Sequence, residues 1–248
     1  MIRLVDICKA YNGKVVLDNI NLEIADGETL AIIGGSGSGK STLLRLMIGL
    51  IKPTSGQIWL GNDDIAAMNE KELDNIRLHM GMVFQYSALF DSMSVGDNVA
   101  FGLREHTDYD EEKIMNIVRE KLELVGLPGT ESMMPDELSG GMKKRVSLAR
   151  AIAFNPEIIF YDEPSSGLDP IMTEKIDELI ISTQKKLGVT SVVVTHDMGS
   201  AVKIADRIAM IHEGELIAVD RVDRFRRINE PRVRAFLRDL YINEGAQA

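Results

Sequence analysis

The 248-residue chain predicts an α/β protein: a parallel sheet covered on both faces by helices, with an antiparallel β subdomain and an inserted α-helical subdomain. Three observations predict it. Residues 158–161 and 191–195 are apolar, β-branched runs of the kind that form doubly buried parallel strands, and the segment between them has helical periodicity. Residues 1–34 alternate apolar and polar positions in short runs, with turn signals at Asn12-Gly13 and Asp26-Gly27. Between about 85 and 155 the pattern turns helical, so a helix-rich block interrupts the strands.

In chain order, the N-terminal runs feed a strand at Thr29–Ile33, and a glycine-rich loop leads from it into a helix from about Lys40 to near Gly49. Residues 56–60 read as a short strand before the turn residues Gly61-Asn62-Asp63. Asp110 suits an N-cap, and behind it Ile114, Ile117, Val118, Leu122 and Val125 recur at helical spacing. Ser139 caps a helix running to Asn155, where Pro156 blocks continuation. Another helix starts at Asp169-Pro170 and sets Ile176, Leu179, Ile180, Thr183 and Leu187 on one face. The expected organisation is a core of residues 1–84 and 156–220, a helical subdomain of residues 85–155, and an Arg-rich helical extension of residues 221–248. In that extension Val233, Phe236, Leu237 and Leu240 form a stripe, with Arg221, Arg224, Arg226, Arg227, Arg232, Arg234 and Arg238 around it.

A hydrophobic content of 45% with 27% charged residues is that of a globular protein of one substantial domain. No apolar run approaches the roughly 20 residues that span a bilayer. The N-terminus reads as a strand rather than a signal peptide, so a cytosolic chain is expected. Cys8 is the single cysteine; it excludes an internal disulfide or a multi-Cys zinc site, and its apolar surroundings predict a small core residue. A net charge of −10 argues against direct nucleic-acid binding.

Gly34-Gly35-Ser36-Gly37-Ser38-Gly39-Lys40-Ser41 fits the phosphate-binding pattern G-x-x-x-x-G-K-[ST] between strand and helix. Its glycines let backbone N–H groups face phosphate oxygens, and the helix N-terminus adds partial positive charge. Lys40 reaches the outer phosphates and Ser41 holds Mg²⁺ in such a loop. The strand at 158–161 delivers Asp162 and Glu163 at its carboxyl end, where α/β sheets place ligands. Asp162 suits Mg²⁺ support, and Glu163 suits polarisation of an attacking water. His196 closes the last apolar strand in the same way. Gln85, after Met82-Val83-Phe84, offers an amide oxygen to Mg²⁺ or water, and Tyr11 at a strand turn offers a face for adenine.

Together with Leu138-Ser139-Gly140-Gly141-Met142, these residues resemble the ATPase subunits of ABC transporters over essentially the whole chain. The resemblance implies a P-loop NTPase core of ABC type. Tyr11 would stack on adenine, Gly34 through Thr42 would hold the phosphates, and Gln85 would be the coupling glutamine. Ser139, Gly140 and Gly141 would close over ATP held by a second, head-to-tail copy. Asp162 and Glu163 would be the second acidic motif, Asp169 part of a dimer-contacting loop, and His196 the switch histidine. The implied cofactors are ATP and Mg²⁺.

Met142 stands where glutamine is commonest. With Lys143-Lys144-Arg145 and Val83-Phe84-Gln85-Tyr86-Ser87, it is similar to the ATPases of Mla/Mce-type lipid transporters. That resemblance implies a permease and a periplasmic Mce-domain protein as partners, at the cytoplasmic face of a bacterial inner membrane, and phospholipid as cargo. Tyr86, Leu89 and Phe90 are then candidate contacts for the permease, or else pack within the helical block; the C-terminal arm either docks on its own core with solvated arginines or contacts the second copy or a small cytosolic subunit. The alternative is a small-solute importer, of glycine betaine or an amino acid, because glycine-betaine importers share the Met. Such importers usually carry long accessory domains, and none is expected here. A soluble ABC ATPase acting on DNA or ribosomes is the remote alternative, disfavoured by charge and by the lack of a coiled-coil insertion.

Overall fold

The computed structural model of the protein describes residues 1–245, with side chains through Arg238. The chain divides into two compact units, residues 1–75 with 190–248, and residues 76–189. The first opens with β1 (Ile2–Tyr11) and β2 (Lys14–Ile24). They are joined by Asn12-Gly13, both at positive φ (50° and 80°), as a tight right-twisted hairpin demands. β3 (Thr29–Ile33), α1 (Lys40–Met47), β4 (Ser55–Leu60), β5 (Asp63–Asp64) and α2 (Glu70–Arg77) follow. The second unit holds β6 (Met80–Val83), α3 (Val95–His106), α4 (Glu111–Leu124), a 3₁₀ turn at Pro135–Glu137, α5 (Gly140–Ala151), β7 (Ile158–Asp162) and α6 (Pro170–Leu187). The first unit is completed by β8 (Thr190–Val194), α7 (Met198–Ile204), β9 (Arg207–His212), β10 (Glu215–Arg221), α8 (Val222–Phe225) and α9 (Pro231–Gly245).

Two sheets build the first unit. One is antiparallel, in the order β2-β1-β4-β5; the other runs β10-β9-β3-β8, with β3 parallel to both neighbours. All five residues of β3 and all five of β8 are buried, which is why their centres read as apolar runs, Leu30–Ile33 and Val192–Val194. β1 alternates more irregularly. Asp6 takes a positive φ of 50°, and the register to β2 shifts between Leu4 and Ile7. The bulge turns Ile7 inward after Ile2 and Leu4. Cys8 therefore falls on the other side and is only partly buried, its sulfur accepting from the Asn19 N–H at 3.3 Å, so the expectation of a core cysteine is corrected. On the parallel sheet, Ala31, Ile33, Met198, Ala201, Ile208, Met210 and Phe225 form one core with Val233 and Leu237 of α9. The C-terminal helix thus docks on its own unit through its apolar stripe, while Arg232, Arg234 and Arg238 stay exposed. Leu240 of the expected stripe lies outside the residues whose side chains are described.

In the second unit β6 and β7 pair in parallel, Met80 with Ile158 through Val83 with Tyr161. Its helices are capped as the sequence demands. Ser94 accepts from the Asp97 N–H at the start of α3, and Asp110 from Lys113 N–H at α4. The fully buried Asn98 of α3 accepts from Phe90 N–H at 2.8 Å and donates to the carbonyls of Phe90, Met93 and Ser94. One amide thereby satisfies a whole loop.

Candidate active site

The phosphate-loop pattern lies where two parallel strands end together. Ile32 of β3 is in register with Val194 of β8, and Thr195 N–H donates to the Ile32 carbonyl at 3.1 Å. The glycine-rich loop and His196 therefore leave the carboxyl edge of one sheet, the edge where open α/β sheets bind ligands. His196 is exposed there, and Asp197 beside it caps α7 by accepting from Ser200 N–H. Tyr11 lies at the β1–β2 turn, 44% exposed, with the Lys9 ammonium 4.8 Å from its ring centroid.

The loop's shape is imposed by its neighbours. Gly34 has φ of 153°, and a Cβ there would lie 2.1 Å from the Ile211 carbonyl oxygen. Gly39, the residue before α1, has φ of 108°, and its Cβ would meet Leu17 at 2.6 Å. Between them, Gly35, Ser36 and Gly37 are exposed, and a Cβ on either glycine would meet nothing within 4 Å. The Lys40 ammonium folds into the loop, donating to the carbonyls of Gly34 (2.8 Å) and Gly35 (3.0 Å). Ser38 Oγ is buried without a hydrogen-bond partner. Ser41 and Thr42 follow in the first turn of α1, both partly buried. Bare backbone, a cation and an orphaned hydroxyl at a helix N-terminus make a set suited to phosphate oxygens.

The second unit collects the remaining candidates. Asp162 ends β7 and is 8% exposed, while Glu163 follows at φ 49°. Gln85 lies two residues beyond the end of the paired strand β6, and its side-chain amide donates to Ser166 Oγ at 3.3 Å. Gln85 and the acids are thus brought to the same end of one strand pair. Ser139 is the N-cap of α5, its Oγ accepting from Met142 N–H. Gly140 and Gly141 begin the helix beside Leu168 and Met172; a Cβ on Gly141 would lie 2.2 Å from the Met172 methyl. Asp169 caps α6 by accepting from Met172 N–H at 2.9 Å.

No motif in the sequence singles out Lys144 as functional. It is 6% exposed, and its ammonium donates to the Gln85 carbonyl and, at 3.5 Å, to that of Glu163. Burial pushes its pKa below the ordinary lysine value, while the carboxylates of Glu163 and Asp162 act in the opposite sense. Arg150, six residues on, donates to the carbonyls of Ser87 (2.9 Å) and Ala88 (2.7 Å), and burial lowers its pKa too. A signal was present: Gly141, Lys144 and Leu148 share the i, i+3, i+7 face of α5, so a lysine stood on an apolar stripe.

A family model described as ABC transporter matches residues 17–166. The chain belongs to this family. It is 44% identical over 225 residues to the intermembrane phospholipid transport system ATP-binding protein MlaF of Haemophilus influenzae, covering 91% of this chain and 85% of that one. To the methionine import ATP-binding protein MetN of Carboxydothermus hydrogenoformans it is 47% identical over 210 residues, 84% of this chain and 62% of the relative. Among solved structures, a dimeric post-hydrolysis ATP-binding cassette bound to ADP and Pi superposes with a TM-score of 0.83 at 35% identity, over 90% of this chain and 99% of the other. This ABC ATPase binds ATP and is the subunit that couples its hydrolysis to transport. No helix among its described residues is long and apolar enough to cross a membrane.

Proposed function

We propose that this chain energises phospholipid transport between the inner and outer membranes of a bacterium. It would work as a head-to-tail pair at the cytoplasmic face of the inner membrane, with a separate permease and an Mce-domain protein. The observation that carries this reading is the similarity to the phospholipid-transport relative, which runs through 91% of the chain. The alignment with the methionine importer stops at 84%. Import of a small solute is the second reading, supported by that importer's higher identity.

In this reading Gly34, Gly35, Ser36, Gly37, Ser38, Gly39, Lys40, Ser41 and Thr42 hold the ATP phosphates, and Tyr11 stacks on adenine. Ser139, Gly140 and Gly141 of one copy meet the nucleotide of the other, with Asp169 at the contact between copies. Ser41, Gln85 and Asp162 offer hard oxygen donors of the kind Mg²⁺ takes beside substrate phosphates and water. When bound, the ion neutralises charge on those phosphates. Glu163 accepts a proton from the attacking water, His196 contacts the reacting phosphate, and Gln85 couples both to the permease. General-base catalysis supplies 10²–10⁴-fold, or about 3–5 kcal/mol of barrier. Glu163→Gln is therefore expected to bind ATP and barely turn it over; near-normal turnover would refute that role.

The same variant tests the cargo. Tagged Glu163→Gln protein, recovered from detergent-solubilised membranes of its host, is expected to bring down a permease, an Mce-domain protein and stoichiometric phospholipid by mass spectrometry. A different permease with a soluble-solute receptor would overturn the lipid reading and keep the ATPase.

A further inference from the structure

Lysine is almost never fully buried unless its charge is paired, because the desolvation of an ammonium costs several kcal/mol. Lys144 is buried with the Glu163 and Asp162 carboxylates favouring its charge, and the hydrogen-bond acceptors it meets are both main-chain carbonyls. One belongs to Gln85 and the other to Glu163, residues 59 and 19 positions away in sequence. The ammonium is therefore a three-way junction among α5, the segment after β6 and the segment after β7.

Both attached segments are conformationally costly. Glu163 has φ of 49°, and Ser87 and Ala88, just past Gln85, have 62° and 47°. Non-glycine residues in this region cost about 1–3 kcal/mol each and persist only where their surroundings hold them. Glu163 is held through its carbonyl, which accepts from Ser166 N–H at 3.1 Å and from Lys144. Ser87 and Ala88 are held through theirs by Arg150. Two cations of one helix thus fix the backbone of two loops that carry candidate catalytic side chains. Arg150 serves the Gln85 segment alone, while Lys144 serves both.

We propose that Lys144 is the positioning residue of the hydrolytic site: by gripping the Gln85 and Glu163 carbonyls together, it sets where the Glu163 carboxylate stands relative to α5. This rests on the reading of Glu163 as the base. Lys144 touches neither nucleotide nor water; it acts through the backbone of the residue that does. Removing its donors leaves the Glu163 carbonyl with the Ser166 N–H bond alone, and unties it from the Gln85 segment. A misplacement of about 1 Å at a reacting group costs on the order of 10²-fold in rate.

The test compares Lys144→Met, of similar length without donors, with Lys144→Arg, which restores them, in the full-length chain. Glu163→Gln serves as control. Steady-state kcat and KM for ATP are measured with the Kd of a non-hydrolysable ATP analogue and the melting temperature. The expected result is a kcat loss on the order of 10²-fold in Lys144→Met, analogue Kd within about two-fold of wild type, and recovery of most of the kcat in Lys144→Arg. A kcat within about three-fold of wild type in Lys144→Met would overturn the proposal. So would a loss that follows weakened analogue binding and is not rescued by arginine, which marks a merely structural lysine. Should Lys144→Met not fold, Lys144→Leu, likewise without donors, takes its place under the same criteria. If Glu163→Gln keeps wild-type turnover, the base assignment and this proposal fall together. If only Glu163→Gln loses turnover, Lys144 alone has lost its role.

Discussion

Gly34 shows how a single residue can be demanded twice. Its φ of 153° suits glycine, and a Cβ there would press within 2.1 Å of the Ile211 carbonyl, a backbone atom of β9 that cannot swing aside. Gly34→Ala is therefore expected to lose about 1–3 kcal/mol of stability and to weaken ATP binding, read by thermal melting and analogue titration. An unchanged melting temperature would show that the loop relaxes freely. The need for glycine at 34 was legible in the sequence as part of a phosphate-loop pattern. The particular clash was not, because Ile211 is far away in the chain. Lys144 is the converse case. Its spacing marked it as misplaced on an apolar face, but only the folded backbone shows the two carbonyls that account for it.

At the scale of elements, α3 and α4 are tied by Arg104, which bonds Asp97 on its own helix at 2.8 Å and also Glu111 at the start of α4. The Ser94 hydroxyl, then Arg104, holds the Asp97 carboxyl below its ordinary range. Arg104 does the same for Glu111, and its own pKa is raised in turn. A carboxylate whose folded pKa is depressed contributes stability above its unfolded value near pH 4, lost as pH falls through the folded value. Arg104→Met is expected to melt below wild type at pH 7, with the gap closing as pH falls below about 4. A gap independent of pH would mean that Arg104 acts by packing instead. Asp110 and Asp169 announced their helices, since an N-cap is a local interaction that the sequence records. α3 was legible only as part of a helical block, because its buried face includes Gly96 and Asn98, which dilute the apolar period.

Over the whole molecule, the C-terminal segment is a structural part of its unit. Val233 and Leu237 are 0% and 4% exposed, in one core with Ala31, Ile33, Met198 and Phe225. Burying two such side chains contributes about 3 kcal/mol or more. Deletion of residues 229–248 is accordingly expected to lower the melting temperature by on the order of 10 °C, at protein concentrations too low for dimers as well as at high ones. A loss seen only at concentrations where the protein dimerises would assign the arm to the partner copy instead.

The classes of element and their order follow from the chain's local patterns alone. Periodicity, caps and turn pairs act over a few residues, and so do the motifs that imply an ATP-hydrolysing cassette. Gly34, Lys40, Glu163 and His196 stand out in the sequence through short local patterns, whereas Gln85 stands out only through its place in the whole order of motifs. The distant backbone atoms that complete those patterns emerge only on folding. The Ile211 carbonyl forbids a side chain at Gly34, the bulge at Asp6 turns Cys8 from the core, and Lys144 joins two loops. These depend on atoms brought together by packing, and no local period in the chain encodes that encounter.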